Sequence, residues 1–255
     1  MSTKTASDKI AIIKEYIKKV VDDSGAEGVI IGLSGGLDSA LVARLAVDAL
    51  GSEIVHTVYM PSKISPQDDE RATKSLSSLY GTIHEVIEID SIVAATMETL
   101  EVVGDHLATG NIMARVRMMI LYHLAKKRQL LVLGTTNRSE VMMGYFTKYG
   151  DGGCDALPIG TLYKTEVREV SKEMEIPEEF LLRAPSAGLW EGQTDEAEMG
   201  IEYEDLDRIL NAFGAELCEN DIVSQTGYTL QKVKMVLDRV KLNEHKRAFP
   251  STPDF

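Results

Sequence analysis

The sequence predicts an α/β protein built on a doubly wound parallel sheet that is flanked by helices. Four short apolar segments, at 28–33, 54–59, 83–87 and 130–134, are typical of strands, and stretches of helical periodicity separate them. The first segment contains three consecutive β-branched residues, a pattern typical of a strand covered on both faces. Ligands bind such sheets at the carboxyl ends of the strands, so we expect a functional site in the segments that follow them.

The helical segments have apolar residues at the spacing of one helical face. Residues 6–24 predict an amphipathic helix that leads into the first strand. Residues 38–50 repeat the pattern and begin with Asp38 and Ser39, both favourable in a first turn. Residues 110–127 predict a third packed helix. These helices provide the layers that the parallel sheet needs on its faces.

Length and composition indicate one core and therefore a single domain spanning residues 1–255. The chain has 255 residues, of which 44% are hydrophobic. It has no apolar run of about 18 residues, and its polar start is unlike a signal peptide, so we expect no membrane association and a cytoplasmic location. Two cysteines, Cys154 and Cys218, lack a metal-binding spacing and indicate neither a disulfide framework nor a zinc site.

The acidic balance of the chain argues against a nucleic-acid partner. The formal net charge is −13, whereas binding to a phosphate backbone depends on a basic surface. If the ligand is instead a small polyanion, the protein must concentrate its few cations, together with a divalent metal, at one place.

The segment GLSGGLDSAL, residues 32–41, joins the first strand to the next helix and has the composition of an anion-binding turn. Its three glycines permit a positive φ and a close approach of N–H groups to a ligand, and the helix N-terminus carries partial positive charge. It is neither a GxxxxGK[ST] loop nor a GxGxxG turn. Ser34, Asp38 and Ser39 add two hydroxyls and a carboxylate suited to a metal-bound phosphate.

The segment LVLGTTNRSE, which ends at Glu140, repeats this arrangement after the fourth strand. Gly134 and Thr135 end the strand, and Thr136 or Asn137 is expected to cap the next helix. Glu140 lies in the first turn, where it is either a capping carboxylate or, together with a carboxylate after the first strand, a ligand of Mg²⁺.

Two loops and an arginine pair are further candidates. Residues 61–70 are polar and follow the second strand, so they form either a mobile lid or an ordinary solvated loop. Residues 144–163 contain five glycines without clear periodicity, which favours a functional loop. Arg115 and Arg117 are two residues apart on a helix, so at most one of them shares a face with a given ligand group; a solvated arginine face is the alternative.

Seven motifs, taken together, resemble one family. SGGLDS is similar to the signature of the PP-loop ATP pyrophosphatases, and six further motifs follow in the order and approximate spacing of NAD synthetase: GNIMARVRM, LVLGTTNRSE, GYFTKYGDGGCD, LPIGTLYKTEV, PSAGLWEGQTDE and EHKR. The resemblance covers residues 10–249, and GYFTKYGDGG followed by an aspartate is its most diagnostic part. It implies an adenine nucleotide alpha-hydrolase-like, Rossmann-like fold.

The resemblance also implies an activity. NAD synthetases amidate deamido-NAD (nicotinic acid adenine dinucleotide) to NAD with ammonia, with ATP as co-substrate and Mg²⁺ as cofactor, through an NAD-adenylate with release of pyrophosphate and AMP. Family membership further implies a homodimer, with the helices around 105–128 as interface candidates. The motifs leave no room for a glutaminase domain, so free ammonia is the expected nitrogen donor, although a separate glutaminase chain stays open.

Site residues follow position by position from the family motifs. The resemblance implies contacts with ATP for eleven residues: Gly32, Leu33, Ser34, Gly35, Gly36, Leu37, Asp38, Ser39, Thr135, Lys164 and Ser186. It implies contacts with deamido-NAD for five residues: Arg115, Lys148, Asp155, His245 and Lys246. Asp38 and Glu140 are the implied metal ligands, and Asp38, Lys148 and Lys164 the implied catalytic residues. Without the resemblance, His245 is an ordinary surface histidine.

Other functions remain open at this point. One is a different PP-loop enzyme, such as a GMP-synthetase-like amidase or a tRNA-modifying enzyme. The acidic charge disfavours the tRNA version, and the absence of paired functional cysteines disfavours sulfur transfer. Another is a nucleotide-binding regulatory module without turnover. The joint presence of Asp38, Glu140, Lys148 and Lys164 argues against such a module, because a protein that only binds nucleotide does not need all four residues.

Overall fold

The computed structural model describes residues 4–186, 188 and 192–253. Within them a four-stranded sheet contains all four predicted strands: β1 (Gly28–Gly32), β2 (Val55–Tyr59), β3 (Ile83–Val86) and β4 (Leu130–Leu133). The strands run parallel in the order β3-β2-β1-β4. The predicted α/β class and parallel sheet are therefore confirmed.

The helices flank the sheet and continue after it. Their bounds in chain order are α1 (Ala6–Ser24), α2 (Leu37–Leu50), α3 (Gln67–Tyr80), α4 (Asp90–Thr99), α5 (His106–Arg128), α6 (Arg138–Met143), α7 (Lys164–Glu173), α8 (Glu178–Leu181), α9 (Asp195–Met199), α10 (Tyr203–Gly214), α11 (Glu219–Thr226), α12 (Leu230–Leu242) and α13 (Glu244–Arg247). The first helix has the predicted bounds. No helix in the described part of the chain is both long and apolar enough to span a membrane.

The central strand β1 is buried on both faces, as its β-branched run predicts. Val29 and Ile31 pack in a cluster with α1, α2 and α7, whereas Ile30 packs on the opposite face against α4 and α5. Alternate side chains of a strand point to opposite faces, so consecutive apolar residues serve both layers. The sheet is thus covered on both sides, as a doubly wound fold requires.

The helices after the sheet enclose a third apolar cluster. It contains Met143 of α6 and buried residues of α10, α11 and α12, including Tyr203, Leu206 and Ile222. Tyr163, which directly precedes α7, joins the same cluster. The cluster therefore packs against the two helices, α6 and α7, that begin near the carboxyl ends of the strands.

The strand order creates a cleft between β1 and β4. From β1 the chain proceeds through α2 to β2 on one side, and it later returns to place β4 on the other side of β1. The strand ends lie together, with Ile31 paired with Leu133. At such a point the connections leave in opposite directions and open a crevice at the carboxyl edge, where ligands bind.

Candidate active site

The turn after β1 is held open as a loop by its own hydroxyl groups. The Ser34 and Ser39 side-chain oxygens lie 3.1 Å apart, Ser39 Oγ donates to the Gly36 carbonyl at 3.0 Å, and the Gly36 N–H donates to Ser34 Oγ at 3.2 Å. Among the three glycines of the turn only Gly35 has a positive φ, of 83°. The freedom that the glycines provide is thus used at Gly35, whereas Gly36 is an extended residue that precedes α2.

A buried lysine lies between the two predicted metal-binding carboxylates. Lys164 begins α7, its side chain is 4% exposed, and its Nζ contacts Asp38 Oδ2 and lies 3.7 Å from Glu140 Oε1. The other oxygen of Glu140, Oε2, accepts the Asn137 N–H at 3.1 Å. Glu140 therefore caps α6 with one carboxylate oxygen and faces Lys164 with the other. The capping role is confirmed, whereas the role as a metal ligand stays a prediction.

Burial and the neighbouring charges shift the pKa values of Glu140 and Lys164. Burial raises the pKa of Glu140, the neighbouring Asp38 charge raises it further, and Lys164 opposes both. Burial alone would lower the pKa of Lys164, but the charges of Asp38 and Glu140 outweigh it and raise that pKa. Lys164 is thus held in its charged form, and further positive charge nearby would favour the ionised form of Glu140.

The two carboxylates fit a divalent cation that also binds phosphate oxygens. No group of three or more potential ligands from His, Cys, Asp and Glu is assembled in the residues that the structure describes. Mg²⁺, however, usually takes one or two carboxylates and completes its shell with water and substrate phosphates. Asp38 and Glu140, which face the same lysine, provide that pair.

A cavity of about 1400 Å³ opens over these residues at the carboxyl edge of the sheet. All of the residues predicted to contact ATP line it except Gly35, which lies within the same turn; those that line it are Gly32, Leu33, Ser34, Gly36, Leu37, Asp38, Ser39, Thr135, Lys164 and Ser186. Leu33 and Leu37 are buried in the core, so their backbones are the parts available to a ligand.

The residues predicted to hold the dinucleotide lie mostly beside the cavity. Arg115 donates to the Lys148 carbonyl at 3.3 Å, Lys148 Nζ donates to the His245 carbonyl at 2.5 Å, and Lys246 Nζ donates to the Phe146 carbonyl at 3.0 Å. Of Arg115, Lys148, His245 and Lys246, the residue that lines the cavity is Lys246. Helices α5 and α13 and the glycine-rich loop therefore bring Arg115, Lys148 and His245, which are distant in sequence, into one connected group.

Asp155 lies apart from these cations and is occupied by the protein itself. Its carboxylate accepts the Tyr122 hydroxyl at 3.0 Å and the Val132 N–H at 2.8 Å, which ties the loop to β4. On α5, Arg115 is exposed, whereas Arg117 lines the cavity and donates to the Met60 carbonyl at 3.1 Å. The expectation that at most one of this pair faces a given ligand group agrees with that arrangement.

One further cation, Arg183, contacts the turn after β1, which is called the phosphate loop below. The sequence motifs did not indicate this residue. Arg183, just after α8, donates to the Gly35 carbonyl at 2.9 Å and lies 2.5 Å from Asp69 Oδ1 in the first turn of α3. Burial raises the pKa of Asp69, whereas its bond to Arg183 lowers it. The contact joins the predicted lid to the loop, and no sequence periodicity could have paired residues so far apart.

Asp195, within the motif PSAGLWEGQTDE, is a second charged residue at the cavity whose role the sequence motifs did not indicate. It is 4% exposed, lines the cavity and accepts the Tyr203 hydroxyl at 3.1 Å. Burial raises the pKa of Asp195, and the Lys164 charge lowers it. Four residues of its motif, 187 and 189–191, lie outside the described residues.

These features define a nucleotide-binding α/β enzyme of the kind that holds phosphates in a glycine-rich turn at a break in the strand order. The family model described as NAD synthase matches residues 9–250. The chain belongs to this family.

Relatives agree with this assignment. The chain is 42% identical over 245 residues to the NH(3)-dependent NAD(+) synthetase of Methanosarcina acetivorans, which covers 95% of this chain and 96% of that protein. Among solved structures, NMN synthetase from Francisella tularensis matches with a TM-score of 0.88 at 32% identity, over 99% of this chain and 100% of that one. NH3-dependent NAD synthetase from Campylobacter jejuni matches with a TM-score of 0.84 at 29% identity, over 99% and 100%.

Proposed function

We propose that this chain is an ATP-dependent ligase that converts deamido-NAD and ammonia into NAD, with release of AMP and pyrophosphate. The observation that carries the proposal is the convergence of Asp38, Glu140 and Lys164 beside a phosphate-binding turn, in a chain that matches this family over nearly its full length. Amidation of a carboxylate needs an activated acyl group, because the carboxylate itself is a poor acyl donor.

In the first step an oxygen of the nicotinate carboxylate attacks the α-phosphorus of ATP, and pyrophosphate leaves. Two anions must meet, so positioning and charge neutralisation dominate this step. The N–H groups of the turn after β1, the N-terminus of α2 and the Lys164 ammonium supply positive charge at the phosphates. No side-chain nucleophile is required.

In the second step ammonia attacks the acyl carbon of the adenylate, AMP leaves with the bridging oxygen, and the surplus proton passes to solvent. The NAD-adenylate must be shielded from water until ammonia arrives. Residues 61–70 are proposed to act as a lid over this side of the cavity, and their connection to the turn after β1 through Asp69 and Arg183 supports this role.

We propose Asp38 and Glu140 as the residues that hold Mg²⁺. The ion would neutralise charge on the phosphates during pyrophosphate departure. The paired carboxylates around Lys164 and the raised pKa of Glu140 support this role, because a cation beside Glu140 relieves the cost of ionising it.

The dinucleotide is proposed to extend from the cavity across the group formed by Arg115, Lys148 and His245, with Lys246 at the cavity edge. These side chains present several positive or hydrogen-bonding groups to a substrate that carries two phosphates. Asp155 is proposed to orient the substrate from the loop end while its contacts with Tyr122 and Val132 keep it in place.

A mononucleotide substrate is the second candidate. The structure named NMN synthetase resembles this chain over nearly its full length, so the amidated group could belong to the corresponding pyridine mononucleotide. The contacts of Arg115 and Lys148 beyond the cavity favour the larger substrate, since a mononucleotide would leave part of this surface unused.

The direct test is incubation of the purified chain with ATP, Mg²⁺ and ammonium plus either deamido-NAD or its mononucleotide counterpart. We expect NAD, AMP and pyrophosphate in equal amounts, with a higher kcat/KM for the dinucleotide. A higher kcat/KM for the mononucleotide would select the second candidate, and no amidated product from either substrate would refute the ligase.

Free ammonia is the proposed donor. Because the chain matches nearly the whole length of a relative named for ammonia, glutamine in place of ammonium should give almost no NAD with the purified chain. Product release is measured at matched nitrogen concentrations, with ammonium as the positive control. Efficient use of glutamine would contradict this assignment.

We further propose one structural domain over residues 1–255, a homodimer and a cytoplasmic location. The exposed apolar side chains of Leu107 and Met119 on α5 support an interface there, and sedimentation of the wild type against Met119→Glu tests it. A monomer in both cases would exclude that interface.

The proposed cytoplasmic location is supported by the free thiols of Cys154 and Cys218 and by the use of ATP, both of which fit a reducing compartment.

A further inference from the structure

The helices that carry Glu140 and Lys164 are separated by a long loop, yet their first turns lie side by side. Glu140 is in the first turn of α6, and Lys164 is the first residue of α7. The distance of 3.7 Å between Glu140 Oε1 and Lys164 Nζ depends on how these two turns are joined. A backbone bond from the Arg138 N–H to the Leu162 carbonyl, at 2.8 Å, joins the chain at the start of α6 to the segment before α7. Side-chain contacts within the two first turns add to this connection.

Asp207 of α10 bonds to both first turns at once. Ser139 Oγ, next to Glu140, donates to Asp207 Oδ1 at 2.5 Å, and the Thr165 N–H, next to Lys164, donates to Asp207 Oδ2 at 2.9 Å. The Lys164 N–H donates to Ser139 Oγ at 3.0 Å and closes the ring of contacts. One carboxylate therefore ties the neighbour of each site residue to the same point.

This carboxylate is nearly excluded from solvent. Asp207 is 5% exposed, Ser139 is fully buried, and no lysine or arginine within the described ranges lies within ion-pair distance of Asp207. Burial raises the pKa of Asp207, and its bonds to Ser139 and Thr165 lower it. Burying a carboxylate costs free energy of desolvation, so Asp207 is not explained by packing alone. Its contribution here is the pair of directional hydrogen bonds to Ser139 and Thr165.

The position of Asp207 on α10 also favours a structural connection to α6 and α7. It shares the face of α10 that carries the buried apolar residues Tyr203, Leu206 and Leu210. Those residues belong to the third cluster, which packs under α6 and next to α7. Asp207 therefore connects that cluster to the start of both helices.

We propose that Asp207 is a positioning residue for the adenylation step: it holds the first turns of α6 and α7 together so that Glu140 and Lys164 both face Asp38. This inference rests on the proposed function, since it concerns the same site. The phosphate loop lies between β1 and α2, whereas the hydrogen bonds of Asp207 go to Ser139 and Thr165 on α6 and α7. Loss of Asp207 should therefore affect the use of the metal and the rate of adenylation more than the affinity for ATP.

The test compares Asp207→Asn with Asp205→Asn. The control lies on the same helix and bonds to Tyr228 and Lys232, on the side away from the site, so it reports the cost of losing an acidic contact of α10. Initial rates of pyrophosphate release are measured against ATP and Mg²⁺ concentration, with the unfolding midpoint of each variant.

We expect Asp207→Asn to lower kcat about 10²-fold and to raise the Mg²⁺ concentration at half-maximal rate, with the KM for ATP within about threefold of wild type. Asp205→Asn should leave all three quantities near wild type. Equal behaviour of the two variants, or a loss of kcat in Asp207→Asn that follows only its lost folded fraction, would overturn the positioning role.

Two further arms keep the result decisive. If Asp207→Asn does not fold, Ser139→Ala removes the same bond from the opposite side, and a wild-type Mg²⁺ requirement in that variant would overturn the proposal. If the wild type makes no NAD, the proposed function fails; the Mg²⁺ dependence of ATP binding, measured by calorimetry on wild type and variants, still decides whether Asp207 sets the geometry of the carboxylate pair.

Discussion

A lysine with almost no exposed surface lies between two carboxylates in this protein. The Lys164 ammonium contacts Asp38 and lies near Glu140, so without ligands each charge is partly balanced by the others. A bound nucleotide and its cation would change that balance. The lysine would turn toward phosphate oxygens, and the carboxylates toward the cation. We therefore expect the contacts of Lys164 with Asp38 and Glu140 to be exchanged for contacts with the nucleotide and its cation when these bind.

Asp38→Asn should lower the rate of pyrophosphate release per folded molecule at least about 10²-fold, because it removes a proposed metal-binding charge at constant volume. It also takes a partner from the buried Lys164 ammonium, so we expect a lower free energy of unfolding with the fold retained. Release is measured at saturating ATP and Mg²⁺. Asp48→Asn is the matched control, since Asp48 lies on the same helix and pairs with Arg44 at 3.0 Å, away from the site. A rate close to wild type for Asp38→Asn would remove this carboxylate from the metal site.

At the residue scale, sequence reasoning found the residues whose chemistry is local. Ser34, Asp38 and Ser39 sit within one turn, so a six-residue string was enough to predict their convergence. Asp207 could not be found in that way, because its partners lie 42 and 68 positions away. The available signal was an acidic residue on an otherwise apolar helical face, a pattern that indicates a buried polar partner.

The elements that form the site are two strand-to-helix connections, one after β1 and one after β4. Both strands end in glycine or are followed by it, but the two glycines differ in their surroundings. A Cβ at Gly134 would lie 2.6 Å from Cys154 Sγ and 2.7 Å from Leu157 Cδ2. A Cβ at Gly32 would meet Leu121 at 3.4 Å, an ordinary contact. The glycine after β4 is therefore required by the packing of the loop that follows it.

Gly134→Ala should destabilise the protein by about 1–3 kcal/mol, the usual cost of forcing extra volume into a packed region. Gly32→Ala is the matched control at the corresponding strand end and should cost clearly less. Denaturant titration of both variants gives the comparison. Equal stability of the two would show that the Cys154 side of the loop yields without strain.

Arg183→Gln should raise the KM for ATP by about 10-fold or more, because it removes a charge-assisted bond from the phosphate loop and leaves Asp69 buried without its partner. Arg128→Gln is the control, since it breaks the contact with Glu85 on the edge strand β3, and neither residue lines the cavity. Steady-state rates against ATP concentration decide between them. An unchanged KM in Arg183→Gln would mean that the loop keeps its shape without this contact.

The four predicted strands were correct in type and position, because short apolar runs between helical segments leave few alternatives. The order of the strands in the sheet was not predicted, since it depends on contacts between distant segments. Periodicity could not show that the last helices form a separate apolar cluster or that this cluster supports α6 and α7. Such packing depends on contacts between segments far apart in the chain, which a local pattern does not encode.

The whole molecule carries a formal net charge of −13 and yet has a site for polyanions. It resolves this conflict by gathering cations from separate elements: Lys164 from α7, Arg183 from the segment after α8, and Lys246 from α13 all line one cavity. Local positive potential from these side chains and from the helix N-termini then opposes the general repulsion, and the proposed Mg²⁺ would add to it. The third apolar cluster supports one of these cations, Lys164, because it packs against the start of α7.

The central claim is that a substrate carboxylate is activated by transfer of AMP within this cavity. It is tested most directly with deamido-NAD whose carboxylate oxygens are labelled with ¹⁸O, incubated with the protein, ATP, Mg²⁺ and ammonium, and analysed by mass spectrometry. The account predicts one labelled oxygen in AMP and one in the amide of NAD. Label in pyrophosphate or inorganic phosphate, or AMP formed without label, would contradict it.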